Sequence, residues 1–343
     1  MRKTSGRVTI NEIAKAAGVS VTTVSRAMNH ADLVNPETRA RIFDAMHQLG
    51  YAISKNTDVP AKKLNRRVVV VNTPTPGHAF YDDFFRGIMS CATRYGWFVM
   101  LNEETICPES YESFLMLLKS CNAVGLIGSV TADPETLAKL QKELPVIQCF
   151  EMMNEEIPYI GVDDEKAAKA AVDYLISIGR KNIAVLCDHP KQSMVPLDPG
   201  CISRYNRFKG YVMAHEQAGI EYDPNNIIHV SPLYFSDAYN AMKDYLWQGH
   251  RPDAIFAVVD TLAYGAIIAL QDFGLRVPED VAVVGYDNIP IAQMCRPRLT
   301  SVSVPRFEIG RMACEMLHQC SVNPEVSPRN VVMSTELIVR DST

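Results

Sequence analysis

Four residues near the amino terminus combine aliphatic, hydroxyl and guanidinium groups at a spacing that suits one helix face. Thr22, Ser25 and Arg26 stand one, four and five residues after Val21, and side chains three or four residues apart lie on the same side of a helix. Together they would present methyl groups, hydroxyls and a cation as a single exposed patch. Such a patch can contact the edges of DNA bases in the major groove.

Three short helices are predicted to hold this patch. Thr9 and Glu12 fit a capping box at the start of the first helix, and Gly18 fits the turn after it. Ser20 is the predicted N-cap of the second helix, and Asn35 before Pro36 is that of the third. Apolar residues at helical spacing predict a small shared core: Ile10, Ile13, Ala14, Ala17, Val24, Ala27, Met28, Ile42, Met46 and Leu49. Val19 is expected to pack against Val24 as a hydrophobic staple. This arrangement is the helix-turn-helix of DNA-binding proteins.

Charge is distributed unevenly along the 343 residues and supports the same interpretation. Residues 1–67 contain 12 Lys or Arg against 5 Asp or Glu, whereas the remaining 276 residues contain 22 against 34. An excess of cations on a segment of this size favours contact with DNA phosphates. The alternative, a small helical bundle whose polar face is only solvated, does not account for that excess.

The stretch from Val8 to Asn29 reads VTINEIAKAAGVSVTTVSRAMN, and VNPETR from Val34 and LGY from Leu49 follow it. These segments resemble the headpiece of the lactose repressor/galactose repressor family of bacterial transcription regulators. The resemblance implies base-reading roles for three residues of the second helix: Val21, Thr22 and Arg26. It implies phosphate contacts for four others: Ser20, Thr23, Ser25 and Asn29. Arg26 has the fork geometry that matches a guanine edge.

Residues 52–67 read as a basic linker after the headpiece. Members of the family commonly continue with a hinge helix whose Ala-Arg-x-Leu pattern wedges a leucine into the minor groove. This chain lacks that pattern and has Pro60 in the segment, and proline is excluded from an ordinary helix interior. We therefore expect a plain tether, with Val59 or Leu64 as the alternative apolar wedge.

From Arg67 onward, short apolar runs alternate with longer amphipathic stretches. Seven runs are strand-like: Val68 to Val71, Trp97 to Leu101, Ala123 to Ile127, Val146 to Phe150, Ile183 to Cys187, Ala254 to Val258 and Val281 to Gly285. Glu165 to Ile178 and Leu262 to Phe273 read as crossover helices. Strands alternating with helices predict an α/β fold with a parallel, doubly wound sheet, and a segment of this length favours two subdomains.

The family resemblance extends over this body, from Val68 to about Val339. It is carried by YIGVDD from Tyr159, RFKGY from Arg207, DTLAYG from Asp260, VPEDVAVVGYDNIP from Val277 and LTSVSV from Leu299. It implies the fold shared with periplasmic sugar-binding proteins, in which two Rossmann-like parallel-sheet lobes are joined by three crossings and hold a small molecule between them. We place the crossings near Val162, Ile289 and Cys320. The predicted domains are a headpiece at 1–51, a linker at 52–67 and an effector-binding and dimerisation body at 68–343. Within the body, lobe N is predicted at about 68–162 and 290–320, and lobe C at about 163–289 and 321–343.

The same resemblance places an effector site in the cleft. Phe80 and Tyr81 match an aromatic pair that stacks on an apolar ligand face. Arg207 matches a guanidinium that holds polar ligand atoms, and Asp287 matches a carboxylate that accepts from the opposite lobe; such a pair suits neighbouring hydroxyls of a sugar. Three further residues are expected near the pocket walls: Ser203, Arg204 and Tyr234. The structural alternatives are that Asp287 caps the following helix and that Phe80 belongs to the core.

No catalytic or metal motif stands out in the sequence. Asp163, Asp164 and Glu165 could form an acid pair or a metal site, but acidic residues at a helix start more often cap the helix and complement its dipole. Cys187-Asp188-His189 and His78 lack further ligands at metal spacing, so no metal or other cofactor is expected. An apolar run of ~20 residues and a signal-peptide core are both missing, which predicts a cytoplasmic protein.

These observations predict a sequence-specific transcription regulator of the repressor type, released from its operator by a small effector, with a sugar or sugar derivative as the first choice. One headpiece covers little DNA, so a homodimer and a palindromic operator are expected. The alternatives are a regulator that responds to a nucleoside, a nucleobase or a protein partner, a solute-binding protein for transport, and an α/β enzyme with an appended DNA module. The basic headpiece and the missing signal peptide disfavour transport, and no motif supports an enzyme.

Overall fold

The computed structural model describes residues 9–29, 34–49, 67–73, 78–129, 132–188, 202–221, 223–323, 328 and 330–343. The chain divides into two compact units, Met1–Asn65 and Arg66–Thr343. Of the predicted linker at 52–67, all residues except Arg67 lie outside the described residues. Whether a hinge helix forms there therefore stays a prediction.

Three helices make up the described part of the smaller unit: α1 (Ile10–Ala17), α2 (Val21–Asn29) and α3 (Pro36–Gln48). The predicted capping box is confirmed, because the side chains of Thr9 and Glu12 each accept the other residue's backbone amide. Gly18 ends α1 in the left-handed conformation at φ 66°, which costs glycine little. The side chains of Ser20 and Asn35 accept backbone amides at 3.1 Å and 2.9 Å, so both predicted caps are confirmed.

Where the side chains are described, the core that these helices share agrees with the predicted one except at its carboxyl end. The side chain of Met28, also predicted for this core, lies outside the described residues. Its most deeply buried side chains come from all three helices: Ile13, Val24, Ile42 and Met46. Val19 packs against this cluster, as the predicted staple requires. Leu49 does not close the core, since 37% of its surface stays exposed. It lies beyond the last turn of α3, where no facing helix covers it within the described residues.

The described residues of the larger unit form two six-stranded sheets, and each defines one lobe. Lobe N is built on β1 (Val68–Asn72), β2 (Phe98–Asn102), β3 (Ala123–Gly128), β4 (Val146–Cys149), β5 (Tyr159–Val162) and β11 (Val331–Met333). These strands are parallel and lie in the order β11-β5-β4-β3-β1-β2. The helices of lobe N are α4 (Ala79–Arg94), α5 (Tyr111–Ser120), α6 (Pro134–Glu143) and α12 (Arg306–Val322).

Two glycines allow α4 and α12 to cross at close range. A Cβ atom on Gly87 would lie 2.0 Å from the Phe307 carbonyl oxygen, and one on Gly310 would lie 2.1 Å from the Phe84 carbonyl oxygen. Backbone thus packs against backbone at this crossing, and a side chain at either position would force the helices apart.

Lobe C is built on β6 (Ile183–Cys187), β7 (Ile227–His229), β8 (Ala254–Ala257), β9 (Ala282–Asp287), β10 (Thr300–Ser303) and β12 (Glu336–Ile338). The order is β12-β10-β9-β8-β6-β7, and β12 runs antiparallel to β10 while the other pairs are parallel. Its helices are α7 (Asp164–Ser177), α8 (Ile202–Ala218), α9 (Phe235–Trp247), α10 (Asp260–Asp272) and α11 (Ile291–Met294), with a 3-10 turn at Pro224–Asn226. The predicted α/β fold of two Rossmann-like lobes is confirmed.

The chain passes between the lobes at three places, and two of them correct the predicted lobe boundaries. The first crossing follows the end of β5 at Val162. Since β10 pairs with β9 in lobe C, the second crossing lies at residues 303–306 and not near Ile289. Since β11 pairs with β5 while β12 pairs with β10, the third lies at residues 333–336 and not near Cys320. The error arose because the lobe of a strand is decided by the strand that it pairs with, and the sequence of a strand does not name its partner.

Candidate DNA-reading helix and effector cleft

The predicted base-reading residues lie together on the open side of α2. Val21 is 45% exposed, and Thr22 and Arg26 are exposed as well. Val24 and Ala27, on the other side of the helix, are buried in the headpiece core. The fold thus leaves the three predicted readers on one solvent-facing surface, as their spacing requires. Their contacts with DNA stay a prediction.

Hydroxyl groups gather at the amino-terminal end of α2. The Ser20 and Thr23 hydroxyl oxygens lie 2.7 Å apart. A helix amino terminus carries a partial positive charge and unpaired amides, which favours a phosphate group there. Ser20 is exposed, and Thr23 and Ser25 are half-buried. Ser20 and Thr23 stand at the helix end that favours a phosphate, and Ser25 lies about one turn further along α2. The side chain of Asn29 lies outside the described residues.

In the larger unit, Arg207 lies at the centre of a buried charge network. Its Nε atom donates to Asp164 Oδ1 at 2.8 Å, and its Nη1 atom donates to Asp287 Oδ1 at 3.0 Å and to the Val258 carbonyl oxygen at 2.8 Å. The guanidinium carbon lies 3.8 Å from the centroid of the Tyr286 ring. Burial raises the pKa of both aspartates, while the charge of Arg207 acts in the opposite direction. Within the described part of the chain Nη2 makes no hydrogen bond, so its two N–H donors are not engaged there.

The position of Asp287 corrects the prediction that it faces Arg207 from the opposite lobe. Arg207 lies on α8 and Asp287 ends β9, so both belong to lobe C and form a direct ion pair. The reason is that α8 brings Arg207 to the carboxyl ends of β8 and β9. The alternative role of Asp287 is not seen either, because α11 begins at Ile291 and its N-cap is Pro290, with no side-chain capping bond.

The turn that carries Asp287 is held in a strained conformation. Asp287 and Asn288 have φ values of 103° and 51°, a region that residues with side chains rarely adopt. Ser301 Oγ accepts the Asn288 amide at 3.0 Å, and Asp260 Oδ2 accepts the Ile289 amide at 2.8 Å. Burial raises the pKa of Asp260 to about 8. Strain that surrounding groups support in this way is concentrated at ligand-binding and catalytic sites.

Glu151 contributes a carboxylate from lobe N to the same region. It follows β4, is 7% exposed, and accepts the hydroxyl of Ser203 on α8 at 3.1 Å, so this hydrogen bond joins the two lobes. Burial raises the pKa of Glu151 to about 7, against the opposing effect of the Arg204 charge. Arg204 forms its ion pair with Asp188, at 2.7 Å. Glu151 has no ion pair within the described ranges, which leaves it available as a buried acceptor.

The predicted aromatic pair belongs largely to the core of lobe N. Phe80 and Tyr81 are each 9% exposed, and the Phe80 ring centroid lies 4.8 Å from that of Phe150. Burial raises the pKa of the Tyr81 hydroxyl, and the charge of Glu151 adds to this rise. The pair therefore borders the site near Glu151, but neighbouring rings already cover most of its surface. The alternative that Phe80 is a core residue agrees with this burial.

The acidic run before α7 divides into two roles. Asp163 caps the helix, since its side chain accepts the Lys166 amide at 3.0 Å. Asp164 is instead buried against Arg207, which the capping interpretation missed. In the sequence, only the run of three acidic residues could have pointed to Asp164. No local pattern distinguishes the buried Glu151 from the exposed Glu155 and Glu156 that follow it.

Tyr234 is not brought into this network. It precedes α9, 65% of its surface is exposed, and it makes no side-chain capping bond. Its predicted place near the pocket walls therefore has no support from a contact with Arg207, Asp287 or Glu151 in the described residues. Ser203 and Arg204, by contrast, lie on the turns of α8 that carry Arg207.

A cavity of about 490 Å³ lies away from the cleft, at the amino ends of the lobe N strands. Its lining includes Arg67, Val124, Lys142, Pro158 and Ser321. Lys142 lies in the last turn of α6, where a cation complements the helix dipole. Stabilisation of α6 thus accounts for Lys142. The buried charged groups around Arg207 and Glu151 lie instead at the carboxyl ends of the strands.

Comparisons with known proteins follow the same division of the chain. Residues 9–54 match the family described as bacterial regulatory proteins, lacI family, and residues 172–343 match a periplasmic binding protein-like domain. The HTH-type transcriptional repressor CytR of Escherichia coli K12 is 31% identical over 100% of this chain and 98% of its own length. The chain belongs to the lacI family. It is a DNA-binding transcriptional repressor with an effector-binding body.

Other relatives of this lacI-family repressor agree in sequence and in fold. Catabolite control protein A of Priestia megaterium is 31% identical over 98% of this chain and 99% of its own length. A solved structure described as a transcriptional regulator CelR-cellobiose complex superimposes with a TM-score of 0.69 at 27% identity, covering 98% of this chain and 100% of that one. These relatives are regulators and not enzymes. No helix within the described residues has the length and apolar character needed to cross a membrane.

Proposed function

We propose that a small neutral polyhydroxyl compound, a sugar or sugar derivative, controls the operator affinity of this repressor by binding between the lobes beside Arg207. The observation that carries the proposal is the charge balance of the network. Asp164 and Asp287 already neutralise Arg207, while Glu151 faces the site from lobe N without an ion pair. The buried Arg306 nearby is engaged with the Asp287 and Asn288 carbonyl oxygens and with Asp83, so neither arginine is left over for an anionic ligand. The site instead offers carboxylate acceptors to hydroxyl donors and Arg207 Nη2 to a ligand oxygen.

The CelR structure supports a sugar, because the molecule in that complex is cellobiose, a neutral disaccharide. A nucleoside is the second candidate. It joins the neighbouring hydroxyls of a sugar to a planar base, and the aromatic cluster of Phe80, Tyr81 and Phe150 borders the site. Both candidates would place hydroxyl groups among the carboxylates of the network.

Calorimetry with the full-length protein tests the effector class. The probes are cellobiose, ribose, adenosine and the anion gluconate. We expect a neutral probe to bind and to change the affinity for an operator selected from random DNA, as measured by fluorescence anisotropy. Asp287→Asn should lower the affinity for that probe roughly tenfold or more, whereas Glu155→Gln, at an exposed position close to Glu151, should leave it unchanged. Binding of gluconate alone would contradict the proposal.

We also propose that the repressor acts as a homodimer on a palindromic operator. Apolar side chains are exposed on both lobes: Met89, Phe98 and Leu101 in lobe N, at 46%, 51% and 48%, and Phe235 in lobe C, at 37%. The Phe235 ring lies 5.1 Å from that of Tyr264. A two-fold contact between copies would cover these surfaces and would present two headpieces to two matching half-sites. Since operator DNA is the partner, the proposed place of action is the cytoplasm.

Sedimentation equilibrium tests the dimer. Leu101→Asp places a charge on the edge strand β2 and should shift the protein toward the monomer. Met116→Asp is the matched control, because Met116 is also apolar and 71% exposed but lies on α5. Equal association of both variants would contradict this interface.

A further inference from the structure

Arg306 is the first residue of α12 and stands at the second crossing between the lobes. It is 5% exposed, and arginine is rarely buried so deeply unless its donors are paired. Its backbone belongs to lobe N, whose helix α4 packs against α12. Its side chain, however, contacts groups of both lobes.

On the side of lobe C, the guanidinium donates to two carbonyl oxygens of the strained turn. Nη1 donates to the carbonyl of Asp287, and Nη2 donates to that of Asn288 at 3.3 Å. On the side of lobe N, Nη2 lies 3.4 Å from Asp83 Oδ2, and the guanidinium carbon lies 5.5 Å from the Phe80 ring centroid. One side chain therefore touches the turn of Asp287 and the first turns of α4.

The other supports of this turn come from lobe C itself. Arg340 Nη2 donates to Asn288 Oδ1 at 2.7 Å, and Asn288 Nδ2 donates to Ser303 Oγ at 3.1 Å. A rigid-body movement of one lobe against the other leaves such contacts intact. The contacts of Arg306 with the turn differ, because they must change whenever the distance between the lobes changes.

We propose that Arg306 is a positioning residue that couples the conformation of the Asp287 turn to the spacing of the two lobes. Separation of the lobes would remove carbonyl acceptors from a buried guanidinium, which is unfavourable. A ligand that moves Asp287 thereby changes the preferred lobe spacing through Arg306. The link that Arg306 forms between the lobes is inferred from these contacts alone. Only the response of that link to a ligand rests on the proposed effector function.

The test compares two arginines that hold the same turn from different sides. Arg306→Met and Arg340→Met each remove a guanidinium from Asn288. Only Arg306 joins the lobes, since Arg340 donates to Asn288 and to the Leu299 carbonyl within lobe C. Hydrogen exchange followed by mass spectrometry on the full-length protein, without any ligand, measures local opening at the three crossings.

For Arg306→Met we expect amide exchange at the three crossings to become roughly tenfold faster, while the central strands β3 and β8 exchange as in the wild type. For Arg340→Met we expect faster exchange only within residues 287–303. If Arg306→Met shows that same confined pattern, Arg306 is only a local support and the proposal is overturned.

Arg306→Lys keeps the test decisive if the methionine variant fails to fold. One compact ammonium group cannot replace a planar guanidinium fork that contacts both lobes, so faster exchange at the crossings supports the proposal. Wild-type exchange there overturns it. Because no ligand is used, the result does not depend on whether the effector is a sugar.

Discussion

Replacing Glu151 with glutamine should stabilise the repressor at pH 8 and leave its stability almost unchanged at pH 4. Burial raises the pKa of this carboxyl from its ordinary value of 4.5 to about 7, so the folded chain holds the proton more tightly than the unfolded chain. The stability that the protonated carboxyl contributes is complete below pH 4.5 and is lost as the pH rises to about 7. At about 1.4 kcal/mol for each pH unit, the loss amounts to about 3 kcal/mol. Glutamine cannot ionise, and its side-chain oxygen can still accept the Ser203 hydroxyl.

Thermal unfolding of the wild type, Glu151→Gln and Glu155→Gln at pH 4, 6 and 8 measures this effect. About 3 kcal/mol corresponds to a rise of roughly 5 to 10 °C in Tm for a domain of this size. Asp260 also has a raised pKa, about 8, but it titrates in all three proteins and cancels in the difference. A Glu151→Gln advantage that does not grow with pH, or one that the exposed Glu155 variant shares, would refute the reasoning.

Three further predictions concern the headpiece, the helix crossing and the charge network. Arg26→Ala should weaken operator binding by about 1 to 3 kcal/mol and relax one base preference per half-site, whereas Thr23→Ala should weaken binding to all sequences alike; equal losses for Arg26→Ala on operator and random DNA would rule out base reading. Gly310→Ala should lower the unfolding free energy by about 1 to 3 kcal/mol, because its Cβ would lie 2.1 Å from the Phe84 carbonyl oxygen, and an unchanged urea midpoint would contradict this. Arg207→Ala should lower the unfolding free energy, measured by urea denaturation, by about 3 to 5 kcal/mol, because Asp164 and Asp287 lose the cation that they share. An unchanged unfolding free energy would show that these two carboxyls are not ionised.

Much of the headpiece could be predicted from the sequence, because its signals are local. The capping box at Thr9 and the caps at Ser20 and Asn35 act within three residues of their partners. Helical spacing alone also placed Val21, Thr22 and Arg26 on one surface. The prediction failed at Leu49, which lies beyond the end of its helix, so its exposure depends on what the chain does next.

The sequence by itself determined the α/β class of the body, since alternating apolar runs and amphipathic stretches are features of each segment alone. The tertiary structure decided which sheet each strand joins, because the partner of a strand is not encoded in the strand itself: β10 pairs with β9 just before it, whereas β11 pairs with the distant β5. It also decided the roles within the charge network. Arg207 and Asp287 form a pair inside one lobe, Asp164 is buried where Asp163 caps a helix, and Glu151 faces Ser203 across the lobes. The burial of these side chains and their choice of partners depend on atoms that only tertiary packing brings together. Local sequence patterns therefore do not predict these roles.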